Sequence, residues 1–188
     1  MSLPRLLGLL GLGGDGRGRT RAGGTGAAPG ETDTVRRIAA RLEGLAPERA
    51  RRLAAFAFVL ARVAHADLEI DTSESAEMER ILATQGGLDP GEAALAVEIA
   101  KSQARLLGGT ENYVVTREFR KLASAAERAQ LLECAYAVAA ADGSISAVEN
   151  AECAGIAEEL GFTHAEALAV RSAFRDKLSL FQKGPAGA

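Results

Sequence analysis

The chain has 188 residues, enough for one domain of ordinary size once a glycine-rich N-terminus is set aside. It is 47% hydrophobic but only 4% aromatic and has no Trp, with alanine supplying much of the apolar content; that favours closely packed helices over strands. Net charge is -3, and residues 1–30, with four arginines against one aspartate, account for +3, leaving an acidic body that argues against nucleic acid as a partner.

The N-terminal stretch "MSLPRLLGLLGLGG" holds one Arg and a short Leu-rich run, with no A-x-A cleavage site. It reads as a disordered tail or as a short interfacial anchor. Ten of the 21 glycines fall between Gly8 and Gly30, a composition too poor in apolar area to offset its chain entropy, so residues 1–30 are expected to be tail and linker. A helical domain should follow over 31–183, with 184–188 a second tail. No segment reaches the ~18 uncharged apolar residues of a spanning helix. The best run, Leu53 to Ala61, stops at Arg62, so no integral membrane segment is expected.

From Glu31 the apolar residues recur at three and four: Val35, Ile38 and Leu42, then Leu53, Phe56, Leu60 and Val63 after Pro47, a good first helical residue. Helix starts are marked by a capping residue followed three places later by Glu, in Asp71/Glu74, Asp89/Glu92, Ser124/Glu127, Ser146/Glu149 and Thr163/Glu166. Stops are marked by Gly44, Gly86, Gly108, Gly143 and Gly161. The pattern predicts eight helices, at 33–43, 47–67, 72–85, 90–107, 111–122, 125–142, 147–160 and 164–182, and an all-α fold.

A shift of 75 places superimposes "VAHADLEIDTSESAEMERI" (63–81) on "VAAADGSISAVENAECAGI" (138–156) with nine identities in nineteen positions. The repeated unit is a helix ending in Ala-x-Ala-Asp, a short turn carrying Ile, and a new helix with an acidic third residue. Two such helix–turn–helix repeats, about 51–107 and 122–182, would pack most simply about a pseudo-two-fold axis.

The second corner also fits the latter half of a calcium loop. Asp142, Gly143, Ile145 and Glu149 fall on its fifth, sixth, eighth and twelfth positions, while the first and third would be Val138 and Ala140, which offer no oxygen. Two explanations stand for each acidic group. Glu74 and Glu149 are either helix caps or ligands. Asp67 and Asp142, each near a helix C-terminus where the dipole disfavours an anion, need either backbone N–H groups of the next turn or a cation. The first corner is richer in oxygens, adding Glu69 and Asp71 beside His65. Neither corner alone offers the six or more oxygens calcium or magnesium prefers, so a shared site would draw on both.

Catalytic signatures are missing: no P-loop, no G-x-G-x-x-G after a strand, no H-E-x-x-H. His65 and His164 are the two histidines, and His164 should be solvated. Cys134 and Cys153 lack C-x-x-C spacing and sit among apolar helical residues, which fits inert packing and a reducing cytoplasm. An enzyme is not expected, although a thiol nucleophile at either cysteine is the reading to test against.

The doubled element, "VLARVAHADLEIDTSESAEMERIL" and "ECAYAVAAADGSISAVENAECAGIAEELGF", with "REFRKLASAAERAQLLE" between, resembles the TerB-like family of bacterial tellurite-resistance proteins over 51–182, about 70% of the chain. Relatives of that family include the membrane-proximal helical domain of DjlA-type co-chaperones. The resemblance implies a non-enzymatic all-α domain linked to tellurite or other chemical stress. It also implies an acidic cluster at the two corners that takes a divalent metal, and complexes with protein partners near the inner membrane. Carried over by position, it marks Asp67, Glu74, Asp142 and Glu149. Leu68 departs from the Gly of the usual Ala-Asp-Gly corner, and the chain has no His-Pro-Asp tripeptide of a J domain. The expected function is therefore divalent-metal binding or scaffolding in a stress response, with a purely structural role for the corners in a protein–protein adaptor as the alternative.

Overall fold

The apolar run that is too short for a bilayer becomes the centre of the molecule. In the computed structural model, which describes residues 29–64, 72–106 and 112–182, residues 53–61 are buried without a break. A helix that is apolar all round belongs in a core, and five alanines, at 50, 54, 55, 57 and 61, let neighbours approach it closely. This helix, α2 (Pro47–Ala64), follows α1 (Pro29–Glu43). After it come α3 (Thr72–Thr84), α4 (Pro90–Leu106), α5 (Asn112–Leu122), α6 (Ala125–Ala139), α7 (Ala147–Leu160) and α8 (His164–Ser172). The protein is all-α, with eight helices among the described residues and one isolated bridge, Ile145 to Leu178, in place of a sheet.

Helix α2 packs against α4, α5, α6 and α7, while α3 lies on α4 and α6, and α6 runs against α7. The contacts of α2 with α7 and of α3 with α6 are ones that exchanging the two repeats would interconvert, while α5, between the repeats, packs on α2 and α7.

The caps explain the helix starts. Ser124, Ser146 and Thr163 each accept from the backbone N–H three residues on, and Glu127, Glu149 and Glu166 reach back to the cap N–H. Asp89 and Glu92 exchange the same two bonds. The fifth expected pair, Asp71/Glu74, has its cap outside the described residues. Among the stops, Gly161 takes φ 84° and closes α7 with bonds from its own N–H to Glu158 and from Phe162 N–H to Ala157. The left-handed residue after α3 is Gly87 rather than Gly86.

Two helices end earlier than their sequence pattern indicates. Helix α6 stops at Ala139, not 142, because Ala141 and Gly143 donate to carbonyls three residues back and turn the chain. Helix α8 stops at Ser172 instead of running to 182. Three-residue turns carry residues 173–178 round until Leu178 meets Ile145, and no Gly or Pro marks the change. Helix α1 begins at Pro29, inside the stretch expected to be linker.

Candidate functional site

The second acidic corner is built from local hydrogen bonds. Asp142 lies in the turn past the end of α6, and its Oδ1 accepts from Ser144 N–H at 2.9 Å. Gly143 follows with φ 96°, a left-handed conformation, and a Cβ there would meet nothing within 4 Å; the need for Gly is therefore conformational and not steric. Ile145 is buried and exchanges backbone bonds with the C-terminal segment, its N–H donating to Lys177 O at 2.7 Å and its carbonyl accepting from Ser179 N–H at 2.9 Å. Gln182 Nε2 donates to Gly143 O at 3.0 Å, and Tyr136 stacks on Phe174 below. Ser146 then caps α7, with Glu149 Oε2 accepting from Ser146 N–H at 2.8 Å.

The corner therefore answers one question raised by the sequence. The awkward charge of Asp142 at a helix end is met by an N–H of the following turn, and Glu149 is a capping glutamate. Each carboxylate spends one oxygen in this way. Glu74 sits exposed in the first turn of α3; Asp67, Glu69, Asp71 and His65 lie outside the described residues. Among the described residues no group of three or more His, Cys, Asp or Glu is arranged to hold a metal ion. The described half of the site alone thus falls short of the oxygen count a hard cation takes.

Further along α7 from this corner, charged residues of distant parts of the chain are brought together. Arg62, in the last turn of α2, has a largely buried side chain and grips two other helices. Its Nε donates to Glu152 at 2.7 Å, its Nη1 to Glu159 at 2.6 Å and to the buried Thr116 hydroxyl of α5 at 2.7 Å, and its Nη2 to Glu159 at 3.2 Å. Burial works against the guanidinium charge, but the hydrogen bonds and attraction of Glu159 and Glu152 outweigh it and hold its pKa above the usual value. The signal was present in the sequence: an arginine that ends an apolar helical run must be paired if it is buried.

Two more arginines sit at the other end of α2. Arg49 bonds Glu92, the capping glutamate of α4, and Arg52 bonds Glu127, the capping glutamate of α6. Between them opens a cleft of about 230 Å³ with Leu53, Phe56 and Phe119 at its floor.

Both cysteines are buried, and burial pushes each thiol up to about 12. An activated thiol would show the opposite shift. His164 is exposed at the start of α8. No described helix is long and apolar enough to cross a membrane.

The family model of the tellurite resistance protein TerB matches residues 52–172. No curated protein and no solved structure matches the chain.

Proposed function

The chain belongs to the TerB family of tellurite-resistance proteins, and from there we propose that it is a non-enzymatic binding component of a tellurite or chemical-stress response whose acidic corners hold one divalent cation between them. Calcium or magnesium suits the all-oxygen donors Asp67, Glu69, Asp71, Glu74, Asp142 and Glu149. The ion pair between Arg62 and Glu152 carries this reading. Arg62 is two residues before the end of α2, from which the chain enters the first corner, and Glu152 is three residues after Glu149 on the same face of α7. The last turn of α2 thus lies against the side of α7 whose first turn carries Glu149. Asp142 Oδ2 and Glu149 Oε1, which bond to nothing described, are the oxygens that remain for a cation. The unpaired thiols suit a reducing cytoplasm, and a scaffolding role at the inner membrane would use protein partners rather than a spanning helix.

The test is an amide NMR titration of the full chain with calcium and with magnesium, repeated on Asp142→Asn/Glu149→Gln. Gln still completes a capping box, so the fold is kept. Saturable shifts at residues 142–149 and at Glu74 are expected in the parent and not in the double variant. An unchanged response in the double variant would sink the shared-cation reading.

The alternative, a protein–protein adaptor with purely structural corners, is favoured by the completeness of the Ser146/Glu149 capping box and the Asp142 turn without any ion. It predicts that Asp142→Asn lowers the melting temperature equally with and without divalent salts.

A further inference from the structure

We propose that the cleft between α2 and the starts of α4 and α6 binds a small carboxylate carrying an apolar body the size of one aromatic ring. Nothing in this proposal depends on the acidic corners. The cleft's volume, about 230 Å³, exceeds the roughly 150 Å³ of an apolar cavity that takes benzene, leaving room for a ring and a short tail. The floor suits a ring. Phe56 and Phe119 meet edge to face with centroids 6.1 Å apart, and both are buried beside Leu53.

The mouth decides the other end of the ligand. Its charged lining residues are Arg49, Arg52, Glu92 and Glu127, which cancel formally. Their hydrogen-bonding capacity does not cancel. Each oxygen of Glu92 accepts one bond, from Arg49 Nε and from Asp89 N–H, and each oxygen of Glu127 one, from Arg52 Nη1 and from Ser124 N–H, which leaves about two of the four lone-pair sites on each carboxylate. A guanidinium carries five N–H donors. Among the described residues Arg52 spends one, on Glu127; Arg49 bonds Glu92 and approaches Asp89 at 3.5 Å. The Gln130 side-chain amide, also at the mouth, makes no hydrogen bond within the described structure. Unspent N–H groups of the two arginines therefore outnumber the unspent carboxylate sites, and a carboxylate accepts from them where an ammonium cannot. Glu92 and Glu127 stand in the first turns of α4 and α6, whose dipoles offset their charge, and Asp89, which caps α4, lies outside the lining. Gly87, at φ 64°, also lines the cleft; a Cβ there would make an ordinary contact with the Gln130 amide nitrogen at 3.5 Å, so the backbone conformation and not crowding calls for Gly.

Three probes separate the parts of this recognition in amide NMR titrations of the full chain. They are 3-phenylpropanoate, the neutral 3-phenylpropanamide with the same body, and acetate with the charge alone. The phenylpropanoate should produce saturable shifts centred on Gly86, Gly87, Leu88 and Gln130. The amide should bind about 10-fold more weakly, the loss expected when a hydrogen bond to a charged group goes, and acetate should not saturate. Arg52→Ala should bring the acid down to the level of the amide, and Arg52→Lys should restore part of the difference. Equal binding of acid and amide, shifts centred elsewhere, or no saturable response to any probe would overturn the proposal. Should Arg52→Ala fail to fold, the acid-to-amide ratio in the parent decides alone.

Discussion

Helix α2 is tied down by arginines at both ends, yet the two ends are built on different physical terms. At its C-terminal end Arg62 is 8% exposed and bonds two glutamates of α7 and a threonine of α5, so three helices meet on one desolvated charge. At its N-terminal end Arg52 is 38% exposed and Arg49 more so, and each answers one capping glutamate; the arginine heads stay in water there even though Glu92 is buried. A buried charge must stay paired because water cannot replace its partner, whereas an exposed pair exchanges its bonds with water at little cost. The first arrangement holds the fold; the second leaves donors available to a ligand.

The contrast is broken most severely at Arg62. Replacing it with Ala strips Glu159 of a partner in a site where that glutamate is 18% exposed, and should destabilise the protein by about 3–5 kcal/mol in denaturant unfolding. Arg62→Met combined with Glu159→Gln should cost less than the two single changes added together, since the second removes the stranded charge left by the first. Additive losses would show that the clasp is no stronger than a surface pair.

Much of this was legible beforehand, and the parts that were not have identifiable causes. Helix starts were readable because a capping box is a local device: Ser124, Ser146 and Thr163 need only the glutamate three residues on. The end of α8 was not, because what stops it is distant. Ile145 pairs with Leu178 across the chain, Tyr136 stacks on Phe174 and Gln182 bonds Gly143, contacts that the turns of residues 173–178 make and that no local pattern announces. The candidate site divides in the same way. The turn at Asp142 is local, and its N–H partner was one of the two explanations its position allowed. Arg62, Arg49 and Arg52 act through residues 43 to 97 positions away, so the sequence showed their charge without their partners.

A smaller effect probes the link between capping and the exposed end. Ser124 N–H holds the Glu127 carboxyl below its usual pKa, helped by the Ser124 hydroxyl and by Arg52. A carboxyl whose folded pKa is depressed contributes stability above its unfolded pKa, near 4.3, and loses that contribution as pH falls through the folded value. Ser124→Ala should therefore cost about 1 kcal/mol at neutral pH, and its deficit relative to the parent should shrink as melting is followed from neutral pH into that acid range. A deficit that is constant with pH would mean that the cap acts through its backbone geometry alone.

Arg52 should show the smallest effect and the most informative one for the comparison. Its partner Glu127 is 35% exposed and keeps both bonds to Ser124 when the arginine is removed, so Arg52→Ala should cost less than about 1 kcal/mol in the same denaturant experiment. Most of that loss should disappear in high salt, because an exposed pair is screened while the Arg62 clasp is not. A loss approaching that of Arg62→Ala, or one that salt leaves unchanged, would make Arg52 a structural clasp like Arg62. It would then not be a donor held at the surface with capacity to spare.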